Sequence, residues 1–446
     1  MHEHPFFDNL CKNISFSLAG EAGTAGTGMA SANRLKSLKV SQLRDHDNLA
    51  IEFHPDINFI IGRNGTGKTT VMNLVSAMLG LNPEMLGRLP FRQAVLTLES
   101  IEEPNRRLEV SVEKLSTPEM KRPEIVAKVR DGGEQIEFDF DYVGDGRYLR
   151  YDNPARRRSA EDAIRYNRFL SSRVRFSWLP IQRAEVRAYV SPEERDMNPL
   201  DRKIRQIVVD MTKYLSSLDT KATSIINQFQ QEYFLSMLDY SAPATNELVP
   251  IQQLQQSLFS IFDEFNVPRP LYRKRIESHL RRLQSDENSE SRRLLSADTA
   301  RLYTLALKWQ EFDQRRADIY RPKDEFVGIF NRLFLNKSFA FDERNQPSIA
   351  SREASGRRAI DLDELSSGEK QMLIIIGETL LQEQNNFVFL ADEPELSLHI
   401  EWQKDLVQNI RKLNPHCQIV FATHSPDIVE RYGDRTLDLE NFTSIG

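Results

Sequence analysis

Apolar and polar residues alternate with period two along RLKSLKVSQL (34–43) and NLAIEF (48–53), and a continuous apolar run follows at INFIIG (57–62). These patterns predict three strands. KTTVMNLVSAMLG (68–80) then spaces its apolar residues as a helix does, with Gly80 as the stop. Alternation returns at QAVLTLES, RLEVSVEKL and QIEFDFDYV, around the turn signals DGGE and GDG. It predicts an antiparallel subdomain over roughly residues 91–150. RFSWLPIQR (175–183) is apolar enough for a buried strand.

Between 200 and 335 the pattern is helical. Ile204, Val208, Met211, Leu215, Leu218, Ala222, Ile225 and Phe229 alternate spacings of four and three, a heptad seam over almost four repeats. Ile251, Leu254, Leu258, Ile261 and Phe265 form a second segment, and Leu302, Leu305, Trp309, Phe312 and Ile319 a third. Pro243, Pro250, Pro268 and Pro270 mark turns. The expectation is a helical insertion of antiparallel hairpins whose seams are too short for a long rod. From 337 strands and loops return. NNFVFLADEP (385–394) and CQIVFATHS (417–425) read as central parallel strands, with IEWQKDLVQNIRKLN (400–414) as the helix crossing between them.

The predicted organisation is a flexible leader or linker over 1–32 and an α/β domain in two parts, 33–198 and 337–446. A helical insertion, 199–336, lies between those parts. AGEAGTAGTGMASA (19–32) has linker composition, and Met29 is a candidate start.

GRNGTGKTT (62–70) has two glycines spaced by four residues, then Lys and Thr. A buried strand precedes it and a helix follows, which is the setting of a phosphate cradle. Backbone N–H groups of Arg63, Asn64, Gly65, Thr66, Gly67, Lys68, Thr69 and Thr70 can face ATP phosphates at a helix N-terminus. Lys68 would reach the β- and γ-phosphates and the Thr69 hydroxyl Mg²⁺. An accidental glycine-rich turn would lack those flanks. Asp392 and Glu393 end the apolar strand Phe387–Ala391. Asp392 suits Mg²⁺, a hard ion, and Glu393 suits a general base for water. His424 ends the next predicted strand, at the same edge, and is placed to hydrogen-bond the γ-phosphate.

Composition narrows the setting. The net charge is −6, so bulk electrostatics do not draw the chain to nucleic acid. Cys11 and Cys417 are the only cysteines, which excludes a disulfide scaffold or a four-cysteine zinc site and fits a reducing cytoplasm. No run of about 18 apolar residues is present, so no membrane span is expected. FFDNLCKNISFSLAG, broken by Asp8, Lys12 and Asn13, is not a convincing signal peptide.

LSSGEKQ (365–371) opens a further helix with small polar residues. Ser366 and Ser367 are hydroxyl donors, Gly368 permits close approach, and the helix start adds N–H groups. The bare residues also fit ordinary capping, with Ser366 and Glu369 as partners. The order cradle, LSSGE, carboxylate pair and His resembles ABC-type ATPases of the soluble SMC/RecF/OLD-like branch. The resemblance implies a P-loop head of mixed sheet and antiparallel β subdomain, with a short coiled-coil-like helical insertion. It implies that Ser366, Ser367, Gly368 and Glu369 cap the γ-phosphate held by the cradle of an opposing copy, so that two heads close around two ATP molecules. It makes Gln182 the Mg²⁺-sensing glutamine, with Gln93 as a rival, and puts Ser397 and His399 in the loop crossing the dimer.

The chain departs from several relatives. It has no Cys-x-x-Cys hook, and only 22 residues follow His424, so any nuclease is expected to be a separate polypeptide. About 300 residues separate cradle and serine turn, more than in transporter subunits. The compact head with a helical insertion resembles stand-alone ATPases of anti-phage systems of the PARIS and Septu types. That likeness implies a homo-oligomer, a TOPRIM- or HNH-type nuclease or toxin effector, and a phage trigger protein. A RecF/SMC-like ATPase acting on DNA is the competing reading. Arg156–Arg158 and LYRKRIESHLRRL (271–283) are the strong basic clusters. The latter could be a DNA-facing helix, although such a run is more often a solvated helix face.

Overall fold

The computed structural model describes residues 32–43, 47–115, 124–141, 154–180, 197–238, 251–285, 289–352 and 358–440. The chain begins with strands β1 (Asn33–Leu43), β2 (Asp47–Glu52) and β3 (Ile57–Ile61), then helices α1 (Lys68–Leu79) and α2 (Pro83–Arg88). Strands β4 (Gln93–Ser100), β5 (Arg107–Leu115), β6 (Glu124–Asp131) and β7 (Glu134–Asp141) follow, then helix α3 (Pro154–Ser171) and strand β8 (Phe176–Leu179). Helices α4 (Pro199–Leu238), α5 (Ile251–Glu264), α6 (Arg269–Ser285) and α7 (Ser289–Leu333) come next. The chain then forms β9 (Lys337–Phe341), β10 (Pro347–Ser351), β11 (Ala359–Ile360), α8 (Ser367–Leu380), β12 (Phe387–Asp392), α9 (Ile400–Leu413), β13 (Cys417–Ala422), α10 (Pro426–Val429) and β14 (Thr436–Asp438).

The predicted α/β class holds. An antiparallel sheet has the order β2-β1-β4-β5-β6-β7, and a parallel sheet the order β14-β3-β13-β12-β8. A small antiparallel sheet joins β9, β10 and β11. Alternation in β4 and β5 puts Leu96, Leu98, Val110 and Val112 inward. Those residues share one core with Val71, Leu74, Val75 and Met78 of α1 and with Val388, Leu390 and Val420 of the parallel sheet. Each fully buried aliphatic side chain contributes roughly 1.5–3 kcal/mol, so this shared core holds α1 and its preceding loop in place.

Several features depart from the sequence reading. The antiparallel sheet also takes in β1 and β2, through pairs such as Leu38↔Ile51 and Leu38↔Leu96. Strand β6 was not foreseen because Ile125, Val126 and Ala127 are all buried in succession, which hides the period of two. Helix α3 was not foreseen because its apolar stripe is sparse; among its described side chains Tyr166 and Leu170 are buried. Arg156, Arg157 and Arg158 fall within α3, but their side chains lie outside the described residues.

The chain divides into two compact units, Met1–Met211 with Phe326–Gly446, and Thr212–Glu325. Among its described residues the second contains helices and no strand. Its core joins Phe229, Leu254, Leu258, Ile261, Tyr272, Ile276, Trp309 and Phe312, with Phe229 edge-on to Trp309 at 5.0 Å. The helices are longer than the seams suggested: α4 has 40 residues and α7 has 45. Among the described residues no helix is long and apolar enough to cross a membrane.

Candidate functional site

Strands β3, β13 and β12 lie side by side, with β13 in the middle. Ala422 is in register with Ile60 on one side and Asp392 on the other. The three strands therefore end level, and their C-terminal edge carries the cradle, the carboxylates and His424. Such edges are where open parallel sheets bind ligands.

The cradle is a tight backbone turn. Gly62, Gly65 and Gly67 have φ of +144°, +88° and +103°, values that L side chains avoid. A Cβ on Gly62 would stand 2.9 Å from the Thr66 hydroxyl oxygen. Thr66 closes the loop by donating its hydroxyl to the Arg63 carbonyl at 2.9 Å. Helix α1 starts from Gly67 with no side-chain cap and no acid in its first turn. Its N-terminal donors are thus not satisfied by its own side chains, which favours an anion there. Lys68 is buried and donates to the Gly62 and Arg63 carbonyls at 2.8 and 3.2 Å. Burial lowers its pKa, while the charges of Glu393, Asp392, Glu395 and Glu440 oppose that shift.

Asp392 is buried at the end of β12. Burial pushes its carboxyl up to about 6; a hydrogen bond from Thr69 and the charge of Lys68 pull the other way. Its Oδ2 is buried with no hydrogen-bond partner among the described residues. An orphaned carboxylate oxygen beside a threonine hydroxyl fits a hard divalent cation. Glu393, the next residue, has φ of +45° and donates its N–H to the Ala422 carbonyl at 2.8 Å. That turn separates it from Asp392 and brings its Oε1 within 3.9 Å of His424 Nε2. His424 is exposed.

The serine turn is built as the sequence suggested. Ser366 is the N-cap of α8, its hydroxyl accepting from Glu369 N–H at 3.3 Å, and Glu369 accepts from Ser366 N–H at 2.8 Å. Lys337 from β9 grips both Glu369 oxygens at 2.6 and 2.7 Å. Burial would raise the Glu369 pKa, but Lys337 and the Ser366 bonds hold it below the usual carboxylate range. Glu369 is thus occupied within its own chain. Ser366 and Ser367 are exposed, and Gly368 is buried. A Cβ on Gly368 would stand 2.4 Å from the Ser397 carbonyl oxygen, so the close approach made here is to the chain's own 393–398 loop.

Gln182 lies outside the described residues. The rival Gln93 is exposed at the start of β4, opposite Glu113 in the antiparallel sheet. Ser397 takes φ of +70°, and His399 caps α9 by accepting from Glu401 N–H at 3.4 Å. Sequence reading missed Glu395 and Lys337. The available signal for Glu395 was a third acid two residues beyond Glu393 in DEPE.

Known proteins share parts of this chain. The Smc head domain with an extended coiled coil, from Pyrococcus furiosus, aligns over 89% of this chain and 91% of its own, at 13% identity and a TM-score of 0.40. An Smc head bound to the C-winged helix domain of ScpA covers 89% and 92%, at 10% identity and a TM-score of 0.41. The retron Vc95 probable ATPase of Vibrio cholerae serotype O1 biovar El Tor is 33% identical over 78 residues. That stretch spans 15% of this chain and only 15% of the relative's length. The sequence model of the AAA ATPase domain designated AAA_15 matches residues 34–429, from the first strand to the helix after His424, and the chain belongs to that family.

Proposed function

We propose that this AAA-family ATPase is of the ABC type: a sensor and scaffold that closes head to head around ATP and controls a separate nuclease or toxin in anti-phage defence. The observation that carries the nucleotide chemistry is the level ending of β3, β13 and β12, which gathers Lys68, Asp392, Glu393 and His424 at one edge. The shared nature of the site is supported by the exposure of Ser366 and Ser367, whose helix start has its internal partners yet leaves both side chains facing outward. The partial likeness to a retron's probable ATPase supports the defence setting.

In this reading the cradle N–H groups and Lys68 bind the triphosphate. Thr69 and Asp392 would hold Mg²⁺, with Gln182 as a further ligand by resemblance. When bound, Mg²⁺ neutralises charge on the phosphate oxygens. Glu393 accepts a proton from the water that attacks the γ-phosphorus, and His424 orients the same phosphate. Glu393→Gln should retain ATP and lower turnover by about 10²–10⁴-fold, measured as phosphate release beside nucleotide binding. Unchanged turnover would remove Glu393 as the base. Lys68→Ala should lose nucleotide binding.

One observation favours the DNA-acting alternative. Arg273, Lys274, Arg275 and Arg281 are exposed on α6. A salt titration of duplex binding separates the two readings: steep loss of affinity with salt belongs to a protein gripping phosphates.

A further inference from the structure

We infer that Glu395 is a positioning residue that clamps the turn Thr423–Ser425 and thereby sets His424 against Glu393. The inference rests on the reading of this edge as the ATP-hydrolysing site. The parallel ladder between β12 and β13 ends at Asp392 and Ala422. Beyond it, the His424 and Ser425 backbones donate to a carboxylate. Oε1 of Glu395 accepts from the Thr423 hydroxyl at 2.7 Å, from His424 N–H at 2.8 Å and from Ser425 N–H at 3.1 Å. Ser425 N–H is shared with the Thr423 hydroxyl at 3.0 Å, and Thr423 N–H donates to the Ile60 carbonyl at 3.2 Å. Hydrogen bonds to an ionised acceptor are roughly twice as strong as neutral ones, and the Glu395 bonds are what tie the turn to the loop carrying Glu393. A second tie runs from the Ser425 hydroxyl to Gln403 Oε1 at 2.6 Å, and Gln403 Nε2 returns to the Leu398 carbonyl at 2.9 Å.

Glu395 is itself fixed. Leu396 N–H donates to the Glu393 carbonyl at 3.1 Å and Leu398 N–H to the Glu395 carbonyl at 2.8 Å. These bonds close a turn that starts at the positive-φ residue Glu393 and includes the positive-φ residue Ser397. The proposed base and the clamp therefore share one short turn, and the His424 backbone is bonded to that turn rather than to its own strand. The 3.9 Å separation of His424 Nε2 and Glu393 Oε1 follows from this linkage. Glu395 itself touches the ATP phosphates in no step; it acts through His424.

The experiment compares Glu395→Ala and Glu395→Gln in the full chain, with Glu393→Gln and His424→Ala as controls. ATP turnover, nucleotide affinity, thermal midpoint and hydrogen exchange of the 423–425 amides are measured for each. Glu395→Ala should lower kcat by about 10- to 100-fold, the usual cost of losing an orienting partner. Its KM should stay near the parent's, its thermal midpoint should fall by only about a few degrees, and exchange at His424 and Ser425 should rise. Glu395→Gln keeps an oxygen acceptor and should restore most of the turnover and the protection. Parental turnover with protected amides in Glu395→Ala would overturn the assignment. So would equal loss of kcat, affinity and thermal midpoint, or a Glu395→Gln protein as impaired as Glu395→Ala. If Glu393→Gln and His424→Ala are impaired while Glu395→Ala is not, the clamp alone fails. If both controls turn over at the parental rate, the reading of the site fails with it.

Discussion

Asp392 is an acid kept where its ionised form is disfavoured. Its ordinary pKa of 3.8 rises to about 6 through burial, which outweighs the Thr69 hydrogen bond and the Lys68 charge. A raised folded pKa means the fold favours the protonated form. The associated stability is fully present below the unfolded value and is lost as pH rises through about 6. The size is at most about 3 kcal/mol, at about 1.4 kcal/mol per pKa unit. Asp392→Asn should therefore raise the thermal midpoint above pH 7 in chelator-treated buffer and flatten its dependence on pH between 4 and 7, while abolishing Mg²⁺-dependent turnover. Thermal scans across pH check this; a parent and variant with parallel profiles would contradict it. Lys68, Asp392 and Glu393 were legible in the sequence because each follows directly on an apolar strand or begins a patterned helix. Glu395 was not, because its partners Thr423, His424 and Ser425 come from another strand end, 28 to 30 residues away.

Helix α8 shows how an element is placed from both ends. The capping box and Lys337 secure its start, and caps of this kind are worth about 1 kcal/mol. Further along, Gly377 lies against the first turns of α4: a Cβ there would stand 2.7 Å from Ile207 Cγ2. Lys370 pairs with Asp201 at 2.7 Å across the same contact and donates to the Asp363 carbonyl at 2.9 Å. Gly377→Val should lower stability by about 1–3 kcal/mol through overpacking, more than the gain of up to about 1 kcal/mol from replacing a helical glycine. A shift of the denaturant midpoint to lower concentration measures it, and an unchanged or higher midpoint would mean that Ile207 yields freely. The helix and its cap were predictable from Ser366, Glu369 and the apolar run that follows. The contact with α4 was not, since it pairs residues about 170 positions apart and leaves only a lone glycine as a trace. Strand β14 escaped for a similar reason: three residues, Thr436–Asp438, gain their identity only by pairing with β3.

At the level of the whole molecule, the proposed pocket needs a second copy. Ser367→Arg should leave the monomer folded, since Ser367 is exposed, and should block closure around ATP. Mixing it with Lys68→Ala should restore one working site per heterodimer, seen as turnover above that of either variant alone; no rescue in a verified heterodimer would argue against a shared site. The architecture was legible in the order of strands and in the change from period two to helical spacing near residue 200. Which sheet the first two strands join was not, because β1 pairs with both β2 and β4 through partners that local pattern does not encode.

In the proposed pair, the seat of Gly368 on the Ser397 carbonyl would have a kinetic consequence. The turn a copy would offer its neighbour rests on the loop that carries its own Glu393 and Glu395. Loss of phosphate at one pocket that displaced this loop would be transmitted, without any intervening domain, to the rim of the other. Paired pockets built this way would not turn over independently, and the lifetime of the closed pair, rather than the rate of either cleavage, would act as the clock.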